Sequence, residues 1–243
     1  MITIFLDFDG VLFDTLREAF ILCRYAYSNT DIFEPIDEDI YKLFYRYKFL
    51  VYNSWQYYYM MKILEEKEFT NDEEFIKIYN NLLLKRDISK EKYFDEKYLQ
   101  KRIELMDKHI EYWNSLEKPF PFFEKIKKLF IEGKINPIIV SKKNKFAIQY
   151  RINQYGLELS DDKIFAKEEL LPYQSKAEFM NKYMIKNKIN KAVFVDDNSN
   201  NIRPCSDYPN IIPLLAGWGN IAINETGMKC EEIGNIIHSF MIK

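Results

Sequence analysis

Hydrophobic residues follow two different patterns along the chain. In the first, short apolar or β-branched runs alternate with longer stretches that carry apolar residues at helical spacing. Continuous apolar runs are typical of strands buried on both faces, and strands separated by helices indicate a parallel sheet. The predicted strands are 2–6, 135–140, 163–165, 192–195 and 211–215, and the predicted helices include 123–131, 145–155 and 176–186.

The second pattern fills the region between the first two runs. Gly10 is followed by no glycine until Gly133, and Pro35 is the only proline before Pro119. A stretch of about one hundred residues with so little turn punctuation favours long helices. Its apolar residues recur every three or four positions, which is the spacing of amphipathic helices.

Together the two patterns predict an α/β fold with an insertion. The expected core is a doubly wound, mostly parallel, Rossmann-like sheet formed by residues 1–15 and 116–243. The expected insert is an α-helical cap domain over residues 16–115. Ligands of such sheets bind at the carboxyl ends of the strands, so functional residues should follow the short apolar runs.

Composition narrows the classes of function. The 243 residues include 35 basic and 37 acidic side chains, so the net charge is −2 and nucleic acid is not an expected partner. No apolar run is long enough for a membrane span, and Asp7 interrupts the N-terminal MITIFLDF too early for a signal peptide. Three dispersed cysteines fit a reducing compartment. We therefore expect a cytoplasmic monomer or small homo-oligomer that does not bind membranes.

Two carboxylates follow the first predicted strand. Asp7 and Asp9 are separated by one residue and can converge on a small volume, while Gly10 lets the backbone turn beside them. Two anions at this distance require a cation or a proton, and a site built from oxygen ligands favours Mg²⁺. The alternative is an ordinary turn at the end of a strand, where Asp and Gly are common.

Polar residues also follow the other strands. Ser141 and Lys142 come after the second strand, where a hydroxyl beside exposed amides can hold a phosphate oxygen. Lys176 begins a helix, a position where a cation opposes the helix dipole unless an anion lies nearby. Asp196 and Asp197 follow a buried strand and need a counter-ion. A turn, a cap or a solvated side chain is the alternative at each position.

The order of these residues resembles the haloacid dehalogenase-like superfamily of phosphohydrolases. FLDFDGVLFDT resembles the first motif of that family, IIVSKK the second, Lys176 the third and VFVDDN the fourth. FPFF before a helix resembles the return from cap to core, and the helical insert is similar to a C1 cap. The resemblance covers the core on both sides of the insert.

The resemblance implies roles for the acidic residues. Asp7 would be the nucleophile and a Mg²⁺ ligand, and Asp9 would be the general acid and base and offer its backbone carbonyl to the metal. Asp197 would bind the metal directly and Asp196 through water. Many family members carry another acid four residues after the metal-binding aspartate, where this chain has Asn201.

The resemblance also implies phosphate-binding residues. Ser141 and Lys176 would hold the transferring phosphoryl group, with Lys142 and Gly10 beside them. The expected enzyme is a Mg²⁺-dependent phosphatase that hydrolyses a small phosphomonoester, of the sugar, polyol or glycolate phosphate type, through an aspartyl-phosphate. The acid at Asp9 favours phosphoryl transfer over dehalogenation, because a departing halide needs no proton.

Two other functions stay open at this point. A phosphomutase of the same superfamily uses the same pair of aspartates, and a non-catalytic module could bind phosphate or a protein partner. The intact Asp7 and Asp9 pair argues against the module. Within the insert, Arg46, Lys48 and Arg86 are candidates for binding a second anionic group of the substrate, a small phosphorylated metabolite.

Overall fold

A computed structural model describes residues 1–66 and 69–241. The described chain forms two units. The α/β unit contains Met1–Asp14 and the described residues from Pro119 onward, and the helical unit contains the described residues of Thr15–Lys118. The chain passes from one unit to the other after Asp14 and returns after Lys118.

The α/β unit contains a five-stranded sheet in which every neighbouring pair of strands is parallel. Within the described residues the strands of the chain are β1 (Ile2–Leu6), β2 (Phe13–Asp14), β3 (Lys118–Pro119), β4 (Ile135–Val140), β5 (Ile164–Phe165), β6 (Ala192–Asp196) and β7 (Ile211–Leu215). The sheet has the order β5-β4-β1-β6-β7. In the register of the central strands, Ile2 lies opposite Ile135 and Thr3 opposite Ala192. The predicted parallel sheet is confirmed.

The helical unit consists of helices joined by short connections. Its helices among the described residues are α1 (Leu16–Ser28), α2 (Glu38–Tyr47), α3 (Tyr57–Glu66), α4 (Asp72–Leu84), α5 (Ile88–Lys108) and α6 (Ile110–Ser115), with 3₁₀ turns at Lys48–Leu50 and Ser54–Gln56. The side chains of Asp37, Asn71 and Asp87 accept hydrogen bonds from backbone amides at the starts of α2, α4 and α5. These caps satisfy amides that have no partner inside a helix, and so they define where the helices begin.

Aromatic side chains fill much of the interior of the helical unit. The rings of Tyr47 and Phe75 are stacked with centroids 3.6 Å apart, and Phe44 stacks on Tyr57 at 5.4 Å. All four side chains are buried. The aromatic spacing of the sequence therefore produces a packed core in this unit. None of the helices in the described parts of the chain has the combined length and apolar character needed to cross a membrane.

Helices cover both faces of the sheet. The helices of the α/β unit within the described residues are α7 (Pro121–Ile131), α8 (Lys145–Gln154), α9 (Lys167–Leu170), α10 (Lys176–Lys186), α11 (Ser199–Ile202) and α12 (Cys230–Met241), with 3₁₀ turns at Asp161–Lys163 and Arg203–Asp207. Ile4 and Leu6 share one hydrophobic cluster with residues of α7, α8 and α12. Phe5, between them, belongs to a second cluster with residues of α9 and α10. Because neighbouring residues of a strand face opposite ways, the sheet is doubly wound, as predicted.

Candidate functional site

The candidate site lies at the carboxyl ends of neighbouring strands. Asp7 directly follows β1, and its backbone amide donates a 2.9 Å hydrogen bond to the carbonyl of Val195 in β6. Ser141 directly follows β4, and its amide donates to Phe165 of β5 at 3.0 Å. Parallel pairing brings these strand ends to one edge, so residues distant in sequence become neighbours there.

Three carboxylates form a cluster at this edge. Asp7, Asp196 and Asp197 are all buried, and each contributes an oxygen that lies within 4.8 Å of the oxygens of the other two. Burial raises the pKa of Asp7 to about 7; Lys176 opposes this rise, while the charges of Asp196, Asp197 and Asp9 add to it. The negative charges of Asp196, Asp197 and Asp9 therefore all disfavour ionisation of Asp7.

Lys176 lies between two of these carboxylates. Its Nζ is 2.9 Å from Asp7 Oδ1 and 2.8 Å from Asp196 Oδ2. Burial alone lowers the pKa of an ammonium group, but Asp196 and Asp7 outweigh it and raise the pKa of Lys176 above its ordinary value. The cation at the start of α10, which the sequence analysis found unfavourable in isolation, thus has anionic partners.

Asn201 fixes the orientation of Asp196. Its Nδ2 donates to both oxygens of that carboxylate, at 3.0 and 2.9 Å, and the amide of Asn198 donates to Oδ1 at 2.8 Å. A carboxylate at position 201 would instead repel Asp196 at this distance. The Oδ1 atom of Asn201 is buried and has no hydrogen-bond partner among the described residues.

Asp9 lies outside the three-carboxylate cluster and has a partner that the sequence analysis did not single out. Its side chain is 34% exposed, and its Oδ1 is 3.3 Å from Nζ of Lys143, which is almost fully buried. The same Nζ lies 5.6 Å from the ring centre of Phe8. The signal available in the sequence was the second lysine of Ser141-Lys142-Lys143, two positions past the strand end.

Ser141 and Lys142 complete the polar surroundings of the cluster. Ser141 is buried, and its hydroxyl accepts a 3.3 Å hydrogen bond from the amide of Lys143. Burial first, and then the positive charge of Lys176, lower the pKa of Lys142 to about 7, against the opposing charges of Asp7 and Asp196. Both residues are therefore placed to interact with an anion bound at the strand ends.

Glycines allow the loops to approach the cluster closely. Gly10 has φ +81°, and a Cβ there would overlap Asp197 Oδ2. A Cβ at Gly219 would overlap the Cβ of Asp197 and the carbonyl oxygen of Gly10. Gly10 is a predicted site residue, but Gly219 and its neighbour Asn220 are not, because no acidic or basic residue lies next to them in the sequence.

The basic candidates of the helical unit have other partners there. Arg46 forms an ion pair with Asp72, with Nε 2.7 Å from Oδ1. Arg86 forms an ion pair with Glu91 at 2.6 Å, and Lys48 lies 5.5 Å from the ring centre of Tyr57. The charges of the two arginines are thus balanced within the unit, which weakens the expectation that they bind a second anionic group.

The donor set at the strand ends suits a hard divalent cation. Asp7, Asp196 and Asp197 supply carboxylate oxygens, and Lys176 lies against two of these side chains. Mg²⁺ prefers such oxygen ligands and is commonly held by one or two carboxylates. The burial of the three carboxylates and the short separation of their oxygens both fit this ion.

Comparison with known proteins gives similarity of structure at low sequence identity. No family model matches the chain, and no curated protein sequence matches it significantly. A predicted phosphoglycolate phosphatase from Haemophilus somnus has a similar structure, with a TM-score of 0.65 and 14% identity over 96% of each chain. A hydrolase of the haloacid dehalogenase-like family from Streptococcus pneumoniae has a TM-score of 0.57 and 13% identity over 97% of this chain and 98% of its own.

A third similar structure belongs to a protein provisionally described as a beta-phosphoglucomutase, from Thermotoga maritima. Its TM-score is 0.56, with 15% identity over 98% of this chain and 99% of its own. The chain thus has the fold of the haloacid dehalogenase-like hydrolases over nearly its whole length. The predicted resemblance is confirmed at the level of the fold.

Proposed function

We propose that the protein is a Mg²⁺-dependent phosphatase that hydrolyses a small phosphomonoester through an aspartyl-phosphate on Asp7. The observation that carries this proposal is the cluster of three buried carboxylates at the strand ends, bridged in part by one lysine. A substrate of the sugar, polyol or glycolate phosphate type and a cytoplasmic location belong to the same proposal.

Asp7, Asp197, the backbone carbonyl of Asp9 and, through water, Asp196 would hold the metal. When bound, Mg²⁺ supplies positive charge that offsets the repulsion between a carboxylate and a phosphate dianion. The same charge favours the ionised form of Asp7, whose pKa is raised to about 7 by burial first and by its acidic neighbours. The residues present therefore fit the chemistry that the metal would provide.

The nucleophile and the proton-transfer residue are separate carboxylates. Asp7 attacks phosphorus, and Lys176, 2.9 Å from its Oδ1, orients it and attracts the phosphoryl oxygens. Asp9 gives a proton to the departing alcohol and then accepts one from the water that hydrolyses the aspartyl-phosphate. The 3.3 Å ion pair with Lys143 holds Asp9 at the edge of the cluster.

The phosphoryl group would be held by residues that follow β1 and β4 and by Lys176 at the start of α10. Ser141 offers a hydroxyl, and Lys176 and protonated Lys142 offer positive charge near Asp7 and Asp196. Gly10 leaves room for a close approach by the backbone. These groups act on the equatorial oxygens, where negative charge is spread during phosphoryl transfer.

The test compares two Asp→Asn substitutions in the same unit. We expect Asp7→Asn to lower Mg²⁺-dependent release of phosphate from an aryl phosphate by at least about 1,000-fold, because it removes the nucleophile. Asp207→Asn, at an exposed aspartate, should leave the rate unchanged. Activity that survives Asp7→Asn, or that persists in excess chelator, would contradict the proposal.

A phosphomutase is the second candidate, and the similarity to the Thermotoga maritima protein favours it. A mutase would isomerise a sugar phosphate faster than it releases phosphate, and it would depend on a bisphosphate primer. Measuring both products from one panel of sugar phosphates separates the two candidates. Binding of Mg²⁺ and phosphate without turnover across a broad panel would instead identify a binding module.

A further inference from the structure

The loop that follows β7 is anchored at both ends. Gly217 donates a 2.8 Å hydrogen bond to the carbonyl of Met228, and Met228 donates to Leu215 at 2.8 Å. Between these anchors, the indole Nε1 of Trp218 donates to the carbonyl of Val11 at 3.1 Å. The loop is therefore tied to the segment that follows β1, which carries Asp7 and Asp9.

This loop contacts Asp197 through the backbone of a glycine, Gly219. A Cβ at Gly219 would overlap Asp197 Cβ, and a Cβ at Gly10 would overlap Asp197 Oδ2 and lie 2.8 Å from Nδ2 of Asn220. The backbone at both glycines thus lies directly against the Asp197 side chain. The position of Asp197 depends on both loops.

Asn220 makes two hydrogen bonds to one oxygen of this carboxylate. Its backbone amide lies 2.6 Å and its side-chain Nδ2 lies 3.0 Å from Asp197 Oδ2. Two donors on one oxygen fix the rotation of the carboxylate group about its bonds. Hydrogen bonds of this kind orient the carboxylates that bind metals, and losing one typically weakens metal binding ~10–100-fold.

We propose that Asn220 is a positioning residue that fixes the Asp197 carboxylate for divalent-cation binding at the cluster of Asp7, Asp196 and Asp197. This inference rests on the cation site of the proposed function. It adds a residue from beyond the four segments that the sequence analysis identified. Asn220 acts through Asp197 and does not need to contact the substrate.

The experiment measures the Kd for Mg²⁺ by calorimetry, together with the unfolding temperature in chelator. We expect Asn220→Ala to raise Kd ~10-fold or more, with an unfolding temperature in chelator close to that of the wild type. Asn224→Ala, at an exposed asparagine on the same loop, should leave Kd unchanged. Asn220→Gln keeps an amide donor on a longer side chain and should recover part of the affinity.

The outcomes separate this inference from the proposed function. Wild-type protein that binds Mg²⁺ together with an unchanged Kd in Asn220→Ala would overturn the role of Asn220 alone. Wild-type protein that binds no Mg²⁺ would overturn the cation site and the role of Asn220 with it. If Asn220→Ala does not fold, Asn220→Leu decides, because leucine has a similar size and no donor, and a Kd equal to that of the wild type would overturn the role.

Discussion

Each unit of the molecule buries carboxylates, but it balances them differently. In the helical unit, Glu18 is fully buried and receives hydrogen bonds from Arg102 at 2.6 and 2.8 Å and from the indole of Trp113 at 2.9 Å. In the α/β unit, the cluster of Asp7, Asp196 and Asp197 has Lys176 bridging only two of its members. One carboxylate is paired with an arginine, and the other three lie within 4.8 Å of one another.

The difference lies in how each set of buried carboxylates is stabilised. A buried carboxylate with a two-pronged arginine partner is neutralised by the fold itself. Several buried carboxylates close together cost folding free energy unless they bind a cation or a proton. Burial alone therefore does not mark a candidate site, whereas several buried carboxylates close together, one of them with a raised pKa, do.

The largest expected effect comes from removing Glu18 from its buried contacts with Arg102 and Trp113. Glu18→Ala leaves the buried guanidinium of Arg102 without this carboxylate, which should lower the free energy of unfolding by about 3–5 kcal/mol. Denaturant unfolding measures the change. Asp39→Ala is the control, because Asp39 forms its ion pair with Lys42 in solvent and such pairs contribute little. Equal losses in the two variants would contradict the contrast between matched burial and exposure.

A substitution in the cluster of Asp7, Asp196 and Asp197 should change the stability in the opposite direction. Asp197→Asn removes one of three neighbouring negative charges, so in chelator the variant should be at least as stable as the wild type. With Mg²⁺ at about 100 times its Kd, the wild type should gain about 2.7 kcal/mol, and the variant should gain much less. Thermal unfolding with and without Mg²⁺ gives both values. A metal-free variant less stable than the wild type would contradict this prediction.

Much of the fold could be predicted because buried parallel strands leave a strong sequence pattern. β1, β4 and β7 have the predicted bounds, and the other two strands of the sheet differ from prediction by one residue each. The convergence of Asp7, Lys176 and Asp197 could also be predicted, since parallel strands place their carboxyl ends together. Their catalytic and metal-binding roles stay predictions.

Other features of the site depend on contacts that the sequence pattern does not contain. Lys143 could not be chosen over Lys142 as the partner of Asp9, because the local backbone decides where each side chain points. Asn220 lies in a loop whose position depends on tertiary hydrogen bonds. Arg86 is a predicted ligand-binding residue, but in the structure it pairs with Glu91. The sequence pattern does not show this ion pair.

The smallest expected effect concerns the Arg86 and Glu91 pair, which is matched but partly open to water. The hydrogen bonds from Arg86 lower the pKa of Glu91 below its ordinary value of 4.5, against the effect of burial. A carboxylate with a lowered pKa stabilises the folded state above its ordinary pKa, and this contribution is lost as the pH falls through the lowered value. Asp7, with its raised pKa, has the opposite sign.

Arg86→Met should therefore lower the unfolding temperature slightly at neutral pH, and the deficit should shrink as the pH falls below about 4.5. Methionine keeps much of the packing that the arginine makes 3.9 Å from the ring centre of Trp55, so the pH-dependent part reports on charge. The effect is small because the Arg86 side chain is 43% exposed and solvent screens the pair. A deficit that stays the same at every pH would mean that packing, and not the ion pair, is what Arg86 contributes to the helical unit.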